Sequence, residues 1–251
     1  MSSINFMSPL IAHRGANAIA PENTLAAFLA AKQLGAKWIE FDVMLAACGE
    51  AVVIHDETLD RTTDGTGNVC DHPYSYLKTL DAGTWFGLEF AGERIPTFKE
   101  VIAFLKQHDM AANVEIKAVE GQEEAVVKKV LADIKECWTK EMTLPLISSF
   151  SMPILQHVRK LAPKAMIGVL IDEWFAGWEE ICKTLECTSV NLNQEIITPE
   201  KIQLIKSMNK LILSYTVNTT ERAQDLFLAG VNAVFTDEFE NLNAYFSQES
   251  Y

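Results

Sequence analysis

Four short segments carry side chains that could act together in one reaction. "LIAHRG" ends an apolar run with His13 and Arg14 side by side, and "WIEFDV" carries Glu40 and Asp42. "VVIHDETL" ends a further apolar run with His55 and Asp56, and "VEIKA" carries Glu115 and Lys117. Residues two apart on a strand project from the same face, so each acidic segment can aim two functional groups one way. "EFD" taken alone reads as a strand whose alternate charges face solvent, but two acid-bearing strands shift that balance. Three carboxylates gathered at one place repel one another unless a divalent cation lies between them, and oxygen donors favour magnesium, calcium or manganese. An imidazole ionises near neutrality and suits proton transfer in either direction, so two histidines beside a cation define an acid/base site. His13 and Arg14 at the tip of a strand predict an anionic ligand.

The elements that must position these groups alternate between strand-like and helix-like along the chain. Apolar runs at residues 9–13, 38–43, 112–116, 144–149, 166–170, 189–192, 211–216 and 233–236 predict eight strands of a parallel sheet. Eight is the number a closed (β/α)8 TIM-type barrel requires, and 251 residues suit one such domain of about 250. Leu25, Phe28 and Leu29 form a helical stripe ended by Gly35, and Val127, Val130, Leu131 and Ile134 form another. Asn218 followed by Glu221 predicts a helix start, and Gly230 its stop. In "PENT", Asn23 or Thr24 is expected to cap the next helix, and Glu22 could orient Arg14. Residues 57–95 break the rhythm with five glycines and no periodic stretch, which predicts a small insertion after the second strand, forming a cap over one mouth of a single catalytic domain spanning 1–251. His13 and His55 both close strand-like runs, where barrel enzymes carry their chemistry. His72, His108 and His157 lie in the insert or in helical patterns and read as structural.

Composition narrows the partners. A formal net charge of -13 opposes encounter with nucleic acid or an anionic membrane, so a phosphate-bearing ligand needs local cations to capture it. No apolar run reaches the eighteen residues of a membrane span, and the first nine residues carry no export pattern, which predicts a cytoplasmic protein without stable membrane association. Five cysteines (Cys48, Cys70, Cys137, Cys182, Cys187) without a C-x-x-C pair read as free thiols.

Taken in order, "HRG", "PENT", "EFDV", "HDETL", "RTTDGTG", "LDAGTWF", "EIK", "SSF", "YTVN" and the final "TD" resemble the glycerophosphodiester phosphodiesterase family, in particular its compact cytosolic bacterial type associated with glycerol-phosphate uptake. The likeness covers nearly the whole chain. It implies a β/α barrel that hydrolyses small glycerophosphodiesters, such as glycerophosphocholine or glycerophosphoethanolamine, to glycerol 3-phosphate and an alcohol. It implies one divalent cation, magnesium first with calcium or manganese as alternatives, held by Glu40, Asp42 and Glu115. His13 and His55 would be the catalytic pair, and Arg14 and Lys117 would contact phosphate. Phe150, Trp174 and Tyr215 lie near predicted strand ends and could wall the alcohol group. The chain departs from the family at Ala46, Ala47 and Cys48, where the turn is usually polar, at Tyr215, where many relatives have Trp, and at Phe239, where they have Pro. Two rival functions use the same residues: a magnesium-dependent lyase that stabilises an enolate, and a non-catalytic phosphodiester-binding protein.

Overall fold

The computed structural model describes residues 9–248, so the amino-terminal reading against an export signal lies outside the described residues except at Pro9. Nine strands are formed among them: β1 Leu10–Ala12, β2 Trp38–Leu45, β3 Ala51–Val53, β4 Ala111–Ile116, β5 Leu146–Ser149, β6 Met166–Ile171, β7 Ser189–Asn193, β8 Leu211–Tyr215 and β9 Ala233–Thr236. All but β3 pair in parallel in the order β1-β9-β8-β7-β6-β5-β4-β2, and β1 also pairs β2, which closes an eight-stranded TIM-type barrel. Nine helices accompany them: α1 Leu25–Gln33, α2 Tyr74–Leu77, α3 Phe98–His108, α4 Glu123–Cys137, α5 Met152–Leu161, α6 Trp178–Thr184, α7 Pro199–Ser207, α8 Thr220–Ala229 and α9 Phe239–Gln248. None is long and apolar enough to cross a membrane.

Alternation along each strand sorts its residues between two environments. Ile39, Phe41 and Val43 of β2 and Ala112, Val114 and Ile116 of β4 belong to the apolar shell beneath the helices. Their neighbours face the lumen, where Ile11, Trp38, Ala111, Leu146, Leu213 and Phe235 form a separate apolar floor. Above that floor the lumen turns polar, with Asn113 donating to Ser148 at 2.9 Å and Ser189 to Asn191 at 2.7 Å. The acids stand at the top of the same columns.

Two sequence expectations change. The run before His55, which stands outside the eight expected barrel strands, forms β3 and turns back antiparallel on the extended upper half of β2, with Val53 opposite Val43, so the excursion begins with this hairpin rather than at residue 57. The hairpin and the segment that follows share an apolar cluster separate from the main core, including Val52, Ile54, Leu59, Val69, Leu77 and Leu80. The start of α8 is capped by Thr219, whose hydroxyl accepts from Arg222 N–H, and not by Asn218. Asn218 is occupied at the end of the neighbouring strand, donating to Asp237 at 2.9 Å and accepting from its backbone N–H at 2.9 Å. Gly230 ends α8 as expected, at φ 104°.

Candidate active site

The parallel register of β2 and β4 sets Glu40 opposite Asn113 and Asp42 opposite Glu115. All four face the lumen, and one carboxylate oxygen each from Glu40, Asp42 and Glu115 lies within 4.8 Å of the others. Glu40 and Asp42 are almost fully buried. Glu40 Oε2 accepts from the Arg14 backbone N–H at 3.0 Å, while its buried Oε1 has no hydrogen-bond partner among the described residues. Burial, reinforced by the Asp42 and Glu115 carboxylates, raises the Glu40 carboxyl well above the usual range. Burial and Asp42 push Glu115 up to about 7 against the pull of Lys117 and Arg14. Asp42 moves the other way: burial opposes its charge, but Lys117 Nζ at 3.3 Å, Arg14 Nε at 3.6 Å and His55 together outweigh it. Asn23 adds a hydrogen bond to Asp42 at 2.9 Å. Hard oxygen donors, an orphaned carboxylate oxygen and mutual repulsion that Lys117 and Arg14 only partly relieve fit a divalent cation.

Two imidazoles flank this cluster, each held by a carboxylate behind it. His13 Nδ1 lies 2.7 Å from Asp237 Oδ1, and its Nε2 lies 3.8 Å from Glu40. His55 Nδ1 lies 2.6 Å from Asp56 Oδ1. A carboxylate only accepts, so each Nδ1 carries the proton and each Nε2 is left for chemistry. Burial is the largest influence on Asp237 and opposes its charge, yet the bonds from His13, Asn17 and Asn218 hold it below the ordinary carboxylate range. Burial pushes His55 down, helped by Lys117 and Arg14 and resisted by Asp42. Both rings line a cavity of about 160 Å³ shared with Arg14, Glu40, Glu115 and Lys117.

Local sequence explains how the first loop reaches this position. Arg14 adopts a left-handed φ of 54° and Gly15 one of 84°. A Cβ on Gly15 would stand 2.7 Å from the Ala27 carbonyl carbon, so the loop can lie against α1 only with glycine there. Thr24 caps α1 through Ala27 N–H, whereas Asn23, an equal candidate for that cap, is spent on Asp42. Glu22 does contact Arg14, at 3.0 Å.

Phe150 and Tyr215 meet edge to face at 5.7 Å on the cavity wall, and Phe150 is 46% exposed. Trp174 is not brought to this cavity. β6 ends at Ile171, and the Trp174 ring packs 4.9 Å from Trp178 with Lys201 Nζ 5.0 Å from its centroid. The three histidines set aside stay apart from the site; His72 packs on Tyr76 and His108 on Phe104. Asp237, the carboxylate behind His13, is not among the residues that the sequence singles out. The signal for Asp237 was its place directly after the last strand, the position already used to single out His13.

Residues 13–241 match the glycerophosphoryl diester phosphodiesterase family. A glycerophosphodiester phosphodiesterase of Caldanaerobacter subterraneus subsp. tengcongensis is 40% identical over 233 residues, covering 93% of this chain and 95% of its own. Among solved structures, a phosphodiesterase of Oleispira antarctica in complex with the product sn-glycerol-3-phosphate superposes with a TM-score of 0.93 at 36% identity, covering 96% of this chain and 98% of that one. A glycerophosphodiester phosphodiesterase of Agrobacterium tumefaciens gives 0.81 at 29% identity, covering 95% and 100%.

Proposed function

Because the chain belongs to the glycerophosphoryl diester phosphodiesterase family, we propose that it hydrolyses glycerophosphocholine, glycerophosphoethanolamine and similar diesters to glycerol 3-phosphate and an alcohol, in a cation-dependent reaction run by two histidines. The observation that carries this reading is a cluster of three carboxylates, two of them on the wall of a cavity that two imidazoles also line, each imidazole backed by its own acid. Family membership also removes the enolate lyase and the mere ligand trap as competing readings.

A phosphodiester is a stable anion, so its hydrolysis needs charge offset on the non-bridging oxygens, a deprotonated nucleophile and a protonated leaving alkoxide. Glu40, Asp42 and Glu115 would hold a divalent cation, magnesium first, which supplies part of that charge offset. Arg14 and Lys117 supply the rest from the protein. One imidazole takes the proton of the nucleophile as its oxygen bonds to phosphorus; the nucleophile is either water or the substrate's own glycerol 2-hydroxyl, and on the hydroxyl route water then adds to the resulting cyclic phosphate and opens it to glycerol 3-phosphate. The other, entering as imidazolium with its Nε2 also protonated, gives that proton to the alcohol oxygen as the P–O bond breaks. Phe150 and Tyr215 form the apolar wall on which the organic part of the substrate rests.

The decisive experiment incubates the purified protein, chelated and then resupplied with magnesium, manganese or calcium, with a panel of glycerophosphodiesters and measures glycerol 3-phosphate. Release that disappears with chelation and returns with one of the cations is expected. No release from any diester under any cation would refute the reading.

A further inference from the structure

Arg61 stands in the turn after β3, in the inserted segment, and its guanidinium binds two carboxylates at once. Nη1 and Nη2 donate to Glu22 at 2.7 and 2.8 Å, while Nε and Nη2 donate to Asp56 at 2.7 and 2.9 Å. Neither acid ends there. Asp56 is the partner of His55 Nδ1, at 2.6 Å, and Glu22 is the partner of Arg14 Nη1, at 3.0 Å. A continuous chain of charge-assisted bonds therefore runs His55–Asp56–Arg61–Glu22–Arg14, joining a group from the hairpin to one from the first barrel loop. We propose that Arg61 is a positioning residue that fixes the aim of both His55 and Arg14, so that docking of the inserted segment assembles the active site.

The physical case is one of competing charges. Without the guanidinium, the Glu22 and Asp56 carboxylates would lose the cation they share, and their repulsion would draw each away from the other. Asp56 would then release the His55 ring, and Glu22 would follow Arg14 alone. A planar fork suits this task because it meets two carboxylates in fixed directions, which a lysine ammonium cannot do. Glu22 is largely buried, yet its carboxyl is held low: burial acts against its charge, and the bond from Arg61 is the first of the influences that overcome it. A surface ion pair with one acid would be worth little. Two bidentate contacts that each end on a residue of the site differ in kind.

The proposal rests on the phosphodiesterase reading, and its test is arranged to separate the two. Arg61→Ala is expected to lower kcat for glycerophosphoethanolamine by about 10- to 100-fold, the usual scale for losing a group behind a functional side chain. Arg61→Lys should stay closer to Arg61→Ala than to the wild type, and added methylguanidinium should restore much of the Arg61→Ala loss. Adding Arg61→Ala to a Glu22→Gln, Asp56→Asn protein should cost less than about twofold, because residues acting through one network do not combine independently. A folded Arg61→Ala protein with kcat and KM within about twofold of wild type would overturn the proposal. So would a loss that methylguanidinium leaves untouched and that multiplies in full in the triple variant, since that marks a role in folding alone. The His55 Nδ1 proton, followed by NMR, gives a readout independent of turnover: it should be protected from exchange in the wild type and lose that protection in Arg61→Ala. A wild type inactive on every diester would sink the phosphodiesterase reading only, and the proton signal would still decide the role of Arg61.

Discussion

His13 and His55 each have one ring nitrogen committed to a carboxylate, which leaves the other aimed at the cavity. Replacing either ring by Ala is expected to lower turnover by about 100- to 10,000-fold while circular dichroism stays unchanged. Asp237→Asn keeps the shape but offers an amide in place of one carboxylate oxygen, which permits the wrong His13 tautomer. A kcat loss of about 10- to 100-fold with little change in KM is expected in steady-state assays. Gly15→Ala tests the backbone rather than the chemistry. Its new methyl group meets the α1 backbone at 2.7 Å and requires a left-handed φ, so urea unfolding should report a loss of about 1–3 kcal/mol.

At the scale of elements, helix starts are set by side chains that accept from the backbone three residues on, as Thr24, Thr97, Ser151, Thr198 and Thr219 all do. Thr97 stands where the chain returns from the insert into α3. Thr97 forms a reciprocal box with Glu100, whose carboxylate accepts from Thr97 N–H at 2.7 Å. Thr97→Ala is expected to cost about 1 kcal/mol in chemical denaturation, with the denaturant slope unchanged. The β2–β3 hairpin matters for a different reason. β2 rises past the barrel rim and β3 brings the chain back, with Ile54 N–H donating to Asp42 O at 3.1 Å, so the next residue, His55, is delivered beside the acids.

For the whole molecule, the acidic lumen is a stored cost. Glu115 titrates at about 7 and Glu40 well above the usual carboxylate range, both higher than in an unfolded chain. A raised carboxyl favours the folded state fully only below its unfolded value near 4.5, and that advantage is lost as pH rises through the folded value. The cation-free protein should therefore lose stability between pH 4.5 and about 7 on account of these groups, while the depressed Asp42 contributes in the opposite sense at lower pH. A divalent cation removes the repulsion, so its stabilising effect should grow over the same interval. At a hundredfold excess over Kd the gain is about 2.7 kcal/mol, or roughly 5–10 °C of Tm for a chain of this size. Thermal melts with and without magnesium at pH 5 and pH 8 check this, and an equal shift at both would contradict it.

The eight barrel strands, the acids two apart on β2 and β4, and the two strand-end imidazoles were legible because they are local: alternation and apolar runs are properties of neighbouring residues. So was the excursion after β2, through its glycines and missing periodicity. Long-range pairing was not. Nothing near Asn23 or Asn218 says that one will hold Asp42 and the other Asp237 instead of capping a helix, since both are good caps by type. Asp237 meets His13 across 224 residues of sequence, and Arg61 meets Glu22 across 39. Trp174 sat near a strand end by count, but only the tertiary structure decided that it would pack on Trp178. Residue types and spacing determined which groups were on offer, and the closure of the sheet decided which of them meet, because partner choice depends on distances that no local pattern encodes.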